Sequence, residues 1–193
     1  TGYVDFVVRK EGEITLSLLY DAIKNGKDYS QIRGISYIKN NHIIHNPSSQ
    51  PVTLESLPPF PYNLFDKYRN KYNFGFISSS RGCPNDCIFC SQRIISNGIF
   101  RYASLNNVIA EIDILINKYE QKLITFIDDN FLGNRERVKE LCNLIYKKNF
   151  HKKASFDCQA RCDEVTEDML KNLKMANFRT INFGLETGSE RLM

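Results

Sequence analysis

The chain has 193 residues, of which 42% are hydrophobic and 25% are charged, a composition that indicates a globular protein and argues against extensive disorder. Its formal net charge of +4 is too small to indicate a nucleic-acid partner by itself. No apolar run approaches the roughly 20 residues of a membrane helix, and the N-terminal residues show no signal-peptide pattern. We therefore expect a cytoplasmic protein with no membrane or nucleic-acid partner.

The first part of the chain predicts a small α+β region followed by a linker. A strand is expected over residues 3–8 and a helix over residues 14–24, and Asn40-Asn41 predicts a tight turn between strands 34–39 and 42–45. The helix is expected to have one apolar stripe, formed by Leu16, Leu19, Tyr20 and Ile23. Five prolines between Pro47 and Pro61 then predict an extended linker, because proline blocks helix formation.

From about residue 72 onward, strands and helices alternate. The strands are expected over residues 74–80, 123–127, 154–161 and 179–186. Ser104 is expected to cap a helix, Asn134 to begin a second one, and Thr166-Glu167-Asp168 to open a third, with acidic residues at the positive end of its dipole. This alternation predicts an α/β fold with a parallel sheet, either open or barrel-shaped.

The last two predicted strands each have a polar face. Asp157, Gln159 and Arg161 alternate with Phe156, Cys158 and Ala160, and the stretch from Thr180 to Glu186 alternates in the same way. A parallel strand that is buried on both sides is apolar on both sides, so a polar inner face predicts a bound ligand. The alternatives are that these polar groups satisfy one another, or that this face of the sheet is solvated.

Three of the six cysteines lie within eight residues, in the pattern Cys83-x3-Cys87-x2-Cys90 at the end of the first predicted strand of the sheet. Thiolates are soft ligands that suit zinc or iron-sulfur clusters. Three cysteines on a four-iron cluster leave one iron without a protein ligand, whereas structural zinc takes four ligands. Cys142, Cys158 and Cys162 are expected to be small buried apolar residues, although a fourth ligand from among them stays open.

At these residues the chain resembles the radical S-adenosylmethionine (SAM) superfamily, and in particular its cobalamin-associated subgroup. The resemblance rests on the cysteine pattern, with Phe89 before its last cysteine, and on further stretches. These stretches are Glu11-Gly12-Glu13, Ser80-Arg81-Gly82-Cys83-Pro84, the proline-rich linker, Asp128-Asp129-Asn130-Phe131 and Phe183-Gly184-Leu185-Glu186-Thr187-Gly188-Ser189. The implied fold is a partial (β/α)6 TIM-like barrel with about four strand–helix units.

The resemblance also implies a set of site residues. Cys83, Cys87 and Cys90 are expected to hold a 4Fe-4S cluster whose open iron binds SAM, and backbone near Phe89 is expected to meet the adenine. The remaining expected cofactor contacts are Asp128 and Asp129 to the SAM amino group, Asp157 and Glu186 to the ribose, Arg161 to the carboxylate, and Gln159 beside them. The plainer alternatives are that the Asp pair caps a helix and that Arg161 pairs with Asp163 or Glu164.

The chain departs from the family pattern in ways that indicate a fragment. Residues 1–30 resemble only the tail of a cobalamin-binding domain, residues 31–71 a hairpin and linker, and residues 72–193 the first part of the barrel, with Met193 in the expected start of a fourth helix. Cobalamin would therefore bind outside this chain. The expected partners are an unidentified substrate and an electron donor such as ferredoxin or flavodoxin. The alternative function is a non-catalytic iron-sulfur or zinc-binding module.

Overall fold

The computed structural model describes residues 3–96 and 98–191. Its strands are β1 (Phe6–Val8), β2 (Ile35–Lys39), β3 (His42–His45), β4 (Phe76–Ile77), β5 (Ser80–Arg81), β6 (Arg101–Tyr102), β7 (Leu123–Phe126), β8 (Ser155–Ala160) and β9 (Phe178–Phe183). Its α-helices are α1 (Glu13–Lys24), α2 (Gln92–Ile95), α3 (Leu105–Asn117), α4 (Arg135–Lys147) and α5 (Glu167–Met175). Short 3-10 helices occupy Leu54–Ser56, Tyr62–Tyr68, Phe131–Gly133, Phe150–Lys152 and Cys162–Glu164.

The N-terminal part is a three-stranded antiparallel sheet, ordered β1-β2-β3, with α1 beside it. Asn40 and Asn41 both have left-handed backbone, with φ of 50° and 59°, as a tight hairpin turn requires. The expected apolar stripe of α1 is corrected by the structure, because Leu19 is buried whereas Leu16, Tyr20 and Ile23 are exposed. The buried face of the helix is instead formed by Thr15, Leu19 and Ala22.

The larger part is a parallel four-stranded sheet in the order β4-β7-β8-β9, which confirms the α/β fold class. Every second residue of β8, namely Phe156, Cys158 and Ala160, is buried in one apolar core with side chains of α3, α4 and α5. Each of these helices begins at the expected residue, since the side chains of Ser104, Asn134 and Thr166 accept hydrogen bonds from backbone amides in the first turn. The starts of these helices and the apolar faces that they bury therefore agree with the sequence pattern.

Two sequence expectations about strands are corrected. The strand expected over residues 74–80 is divided, because β4 joins the parallel sheet while β5 pairs in antiparallel register with β6. The last strand, β9, ends at Phe183, so Glu186 lies beyond it. The expected start of a fourth helix at Met193 lies outside the described residues. Among the described helices, none has the length and apolar character needed to span a membrane.

Candidate cofactor site at the cysteine loop

The three clustered cysteines lie on residues 82–91, here called the cysteine loop, which connects β5 to α2. The loop begins at Gly82, whose φ is +82° and where a Cβ atom would lie 2.3 Å from the carbonyl oxygen of Ile99. Only glycine fits this position, because both the backbone conformation and the close contact exclude a side chain. The β5–β6 pair and α2 thus define the two ends of the loop.

Cys83, Cys87 and Cys90 are all partly exposed. Within residues 3–96 and 98–191, no three His, Cys, Asp or Glu side chains are gathered so as to hold a single metal ion. The ligands of a four-iron cluster bind different irons at the corners of a cube and need not converge on one ion. The assignment of Cys83, Cys87 and Cys90 as cluster ligands therefore stays a prediction. The donor set itself, three accessible thiols on one loop, suits such a cluster.

Two of these sulfurs accept hydrogen bonds from polar side chains. Asn85 Nδ2 lies 3.5 Å from Cys83 Sγ, and Arg161 Nη1 lies 3.2 Å from Cys87 Sγ. Donors of this kind stabilise negative charge on sulfur and tune iron-sulfur clusters. The surroundings of the loop are therefore polar and, at Arg161, cationic.

The other three cysteines differ from one another. Cys142 and Cys158 are buried in the core, and burial raises the pKa of each thiol to about 12. They are therefore neutral thiols, as expected for structural cysteines. The expectation that Cys162 is also buried is wrong, because this residue is exposed in the turn that follows β8.

Asp128 is buried beneath the start of the cysteine loop, with only 1% of its surface exposed. Its carboxylate accepts hydrogen bonds from the backbone amide of Ser79 at 3.1 Å, from the Ser79 hydroxyl at 2.9 Å and from the Ser80 hydroxyl. Burial raises the pKa of Asp128, although these donors favour its charged form. In this structure the buried side chain holds Ser79 and Ser80, at the start of β5, in place.

Asp129 connects the two ends of the cysteine loop. Its Oδ2 accepts a hydrogen bond from the Gly82 amide at 3.1 Å, and its Oδ1 accepts one from Gln92 Nε2 at 2.7 Å. Burial raises the pKa of Asp129, and the two donors oppose that shift. The Asp128-Asp129 pair thus contacts the segment at the start of β5, the first residue of the cysteine loop, Gly82, and the first residue of α2, Gln92.

Gln159 and Arg161 extend this network from β8 and the turn after it. Gln159 Nε2 donates to the backbone carbonyl of Asp128 at 2.9 Å. Arg161 forms two hydrogen bonds with Asp163, at 3.0 and 2.6 Å, besides its contact to Cys87. The Asp163 pairing that the sequence left open is therefore present, and it raises the pKa of Arg161, which stays cationic.

The remaining expected residues are placed differently. One side-chain oxygen of Asp157, on β8, is buried and has no hydrogen-bond partner among the described residues. Phe89 is 66% exposed on the loop. Glu186 is exposed beyond β9, and none of the hydrogen bonds found in residues 3–96 and 98–191 connects it to Asp129, Gln159 or Arg161. The structure thus links Asp129 and Arg161 to the loop and Gln159 to the backbone of Asp128, whereas the proposed role of Glu186 stays a prediction.

Sequence analysis missed Glu164 and its two amide neighbours as site residues. Glu164 Oε1 accepts hydrogen bonds from Asn85 Nδ2 at 3.1 Å and from Asn130 Nδ2 at 2.9 Å. Glu164 thereby connects the turn after β8 with the cysteine loop and with the residue after Asp129. Its position just after the carboxyl end of a parallel strand was the available signal, because ligands bind at that edge of such sheets.

A family profile described as the radical SAM superfamily matches residues 77–193. An uncharacterized methyltransferase of Pyrococcus horikoshii is 32% identical over 98% of this chain and 42% of its own length. An anaerobic magnesium-protoporphyrin IX monomethyl ester cyclase of Synechocystis is 26% identical over 97% of this chain and 38% of its own length. The chain thus spans about two fifths of the length of these curated relatives.

Solved structures share the fold. The cobalamin-dependent SAM radical enzyme OxsB, with aqua-cobalamin and SAM bound, superimposes with a TM-score of 0.80 and 24% identity over 97% of this chain and 28% of that one. The radical SAM methyltransferase TsrM from Kitasatospora setae, with tryptophan and a SAM analogue bound, gives a TM-score of 0.77 and 19% identity over 97% of this chain and 38% of that one. These likenesses confirm the partial radical SAM barrel.

Proposed function

Because the chain belongs to the radical SAM superfamily, we propose that its cysteine loop holds a 4Fe-4S cluster through Cys83, Cys87 and Cys90 and that SAM is cleaved reductively there. The family match agrees with the expected cofactors, SAM and an iron-sulfur cluster. When bound, the reduced cluster would supply one electron to SAM, which would break the C5′–S bond and give methionine and a 5′-deoxyadenosyl radical able to abstract hydrogen from a substrate.

The observation that carries this proposal is the attachment of three accessible thiols to the carboxyl edge of a parallel sheet. Asp129 bonds both ends of the loop, and Arg161 reaches it from the turn after β8. Strand-to-loop connections meet at this edge, where barrel enzymes assemble their active sites. The protein's own residues would position the cluster and orient SAM toward a substrate.

The reaction we propose is methylation or rearrangement of an unreactive carbon in a substrate that is still unidentified. The similarity to a protein named a methyltransferase supports the first of these. The single electron would come from a small reductant such as ferredoxin or flavodoxin. We place the protein in the cytoplasm, because thiols stay reduced in that compartment.

Cobalamin is a further proposed cofactor, with its binding site outside this chain. The proposal rests on the resemblance of Ser80-Arg81-Gly82-Cys83-Pro84 and of the Glu11-Gly12-Glu13 stretch to the cobalamin-associated subgroup. Incubation of the full-length protein with hydroxocobalamin, followed by desalting, would show retained cobalamin absorbance. Complete loss of the pigment on desalting would contradict this part of the proposal.

The cluster proposal is tested by anaerobic reconstitution of the full-length protein with iron and sulfide. We expect about four irons per chain, a broad absorbance near 400 nm that air bleaches, and release of 5′-deoxyadenosine from SAM on reduction. Cys83→Ala, Cys87→Ala and Cys90→Ala should each lose most of the iron, because the three thiolates act as one ligand set.

Cys162→Ala is the matched control, since Cys162 is the exposed cysteine outside the loop. It should retain the iron content and the SAM cleavage of the wild type. Equal iron loss in Cys162→Ala would indicate a cluster with four cysteine ligands and would contradict the open iron. Binding of one zinc in place of iron, without SAM cleavage, would support the alternative of a non-catalytic metal-binding module.

A further inference from the structure

The side-chain amide of Asn85 lies between a sulfur of the cysteine loop and a carboxylate of the turn after β8. Its Nδ2 atom is 3.5 Å from Cys83 Sγ and 3.1 Å from Glu164 Oε1. An amide nitrogen carries two hydrogens, so one N–H group can point to the carboxylate while the other points to the sulfur. Asn85 therefore connects the first cysteine of the loop with Glu164.

Glu164 is held in place from the core side of the fold. Its Oε1 also accepts a hydrogen bond from Asn130 Nδ2 at 2.9 Å, and Asn130 is only 1% exposed. Its Oε2 is buried and has no hydrogen-bond partner in the part of the chain that the structure describes, where the neighbouring Asp163, not Glu164, is paired with Arg161. An ionised carboxylate with only neutral amides as donors is a strong acceptor for them. Glu164 therefore provides a fixed anionic group against which Asn85 is oriented.

The charge of Glu164 decides which end of the Asn85 amide faces the sulfur. An asparagine side chain ends in a carbonyl oxygen on one side and an NH2 group on the other. If the amide turned round, its oxygen would face Glu164 Oε1, and two acceptors with no hydrogen between them repel each other. The carboxylate therefore keeps the NH2 group on the side that it shares with Cys83.

An N–H group beside a ligand sulfur changes how easily an iron-sulfur cluster is reduced. Reduction adds negative charge that the ligand sulfurs share, so a hydrogen-bond donor stabilises the reduced form more than the oxidised form. Cys83 has such a donor in Asn85, and Cys87 has one in Arg161, which comes from the same turn as Glu164. This turn therefore acts on two of the three sulfurs of the loop.

We propose that Asn85 donates a hydrogen bond to the sulfur of Cys83 when the cluster is bound and raises the reduction potential of that cluster, and that Glu164 is the positioning residue that holds Asn85 for this contact. The inference rests on the proposed function, in which Cys83 is a cluster ligand. Its consequence is that a weaker reductant can supply the electron.

The test measures the midpoint potential of the cluster in the anaerobically reconstituted full-length protein, without SAM or a substrate. Asn85→Leu removes both N–H groups and keeps the branched shape of the side chain, so it should lower the potential at an unchanged iron content. Asn117→Leu makes the same change at an exposed residue of α3 and should keep the wild-type potential. If Asn85 only stabilised the loop, its replacement would reduce the iron content and leave the potential of the remaining clusters unchanged.

The role of Glu164 is tested by a double-mutant cycle. Glu164→Gln removes a negative charge and raises the potential by itself, so the informative quantity is the shift that Asn85→Leu causes with and without this second substitution. That shift should be smaller in the Glu164→Gln protein, because a glutamine amide can donate as well as accept and no longer fixes the direction of the Asn85 amide. Equal shifts in the two proteins would overturn the role of Glu164.

A measurement on the wild type does not depend on how well a variant takes up iron. In protein whose asparagine side chains carry isotopically labelled nitrogen, pulsed electron paramagnetic resonance of the reduced cluster should detect magnetic coupling to a labelled nitrogen. Absence of this coupling, or a wild-type potential in iron-loaded Asn85→Leu, would overturn the proposal and leave the proposed function intact. A wild type that takes up no iron would overturn both.

Discussion

At the scale of single residues, the Asp128-Asp129 pair shows how one short stretch serves the cysteine loop. Asp128 accepts three hydrogen bonds at Ser79 and Ser80 before the loop, and Asp129 accepts hydrogen bonds from Gly82 and Gln92 at its two ends. Their predicted contact with the SAM amino group stays a prediction. The contacts in the structure favour a positioning role, because both carboxylates already hold protein donors.

Asp129→Asn should loosen the cysteine loop. The amide has one acceptor oxygen for two donors, so one end of the loop loses its bond, at a cost of about 1–3 kcal/mol. In protein without iron, Cys83, Cys87 and Cys90 should then react several-fold faster with iodoacetamide. The exposed Cys162 provides an internal reference in the same mass-spectrometric measurement.

The control for this substitution is Asp113→Asn. Asp113 is exposed on α3 and accepts one hydrogen bond from Asn117, so its replacement should leave the alkylation rates unchanged. Loop thiols that react at the wild-type rate in Asp129→Asn would show that the hydrogen bonds of Asp129 do not hold the loop.

At the scale of elements, the Glu11-Gly12-Glu13 stretch connects the N-terminal sheet to the strands beside the cysteine loop. Glu11 accepts hydrogen bonds from Arg101 on β6 and from the Val52 amide at 2.9 Å. Glu13 forms a salt bridge with Arg81 on β5 at 2.6 Å. Glu11 and Arg101 are mostly buried, with side-chain exposures of 14% and 17%. Both strands of the unexpected β5–β6 pair are thus bound to the N-terminal part.

Glu11→Gln should destabilise the fold by about 2–5 kcal/mol at pH 7, because it leaves Arg101 as a buried unpaired charge. Burial alone would raise the pKa of Glu11, but the Arg101 and Val52 contacts lower it below its ordinary value of 4.5. The stabilisation is therefore present above that pH and is lost as the pH falls through the lower pKa of the folded state. Urea unfolding of both proteins between pH 7 and pH 3 measures this difference.

Asp21→Asn is the comparison for this pair. It breaks an ion pair with Lys27 in which both side chains are more than half exposed, so it should have little effect on the free energy of unfolding. If Glu11→Gln and Asp21→Asn have the same small effect at pH 7, the Glu11 network does not join the two parts of the fold.

At the scale of the whole molecule, β9 forms one edge of the parallel sheet. It pairs with β8 on one side, and the described residues provide no strand on its other side. Phe183 is 40% exposed at its end, and Leu185 beyond it is 78% exposed. An unpaired strand edge next to exposed apolar side chains favours self-association.

The isolated 193-residue chain should therefore self-associate. In sedimentation velocity, its mean sedimentation coefficient should rise with concentration, and Phe183→Lys should reduce this rise because a charge at the edge opposes pairing. Leu170→Lys, at a side chain that is 45% exposed on α5, should not reduce it. A monodisperse monomer at all concentrations would refute the expectation.

The sequence by itself determined the features that depend on neighbouring residues. The helix starts at Ser104, Asn134 and Thr166, the apolar period of α3 and α4, the hairpin turn at Asn40-Asn41 and the cysteine spacing are all local patterns. A chain in which strands and helices alternate can form few topologies other than a parallel sheet, because connections between neighbouring elements are short and right-handed. For this reason the fold class was correctly predicted, whereas the family was identified from the resemblance of the cysteine pattern and its accompanying stretches to a known superfamily.

Only the tertiary structure decided which polar groups meet. The contacts of Asp128 with Ser79, of Asp129 with Gly82 and of Glu164 with Asn85 join residues that are 49, 47 and 79 positions apart. The buried face of α1 and the pairing of β5 with β6 likewise depend on what each element packs against. Propensity and periodicity describe a segment and its neighbours, whereas a hydrogen bond across the fold depends on the positions of two distant segments. The position of the three cysteines on one loop could therefore be predicted from the sequence, whereas the residues that contact that loop across the fold could not.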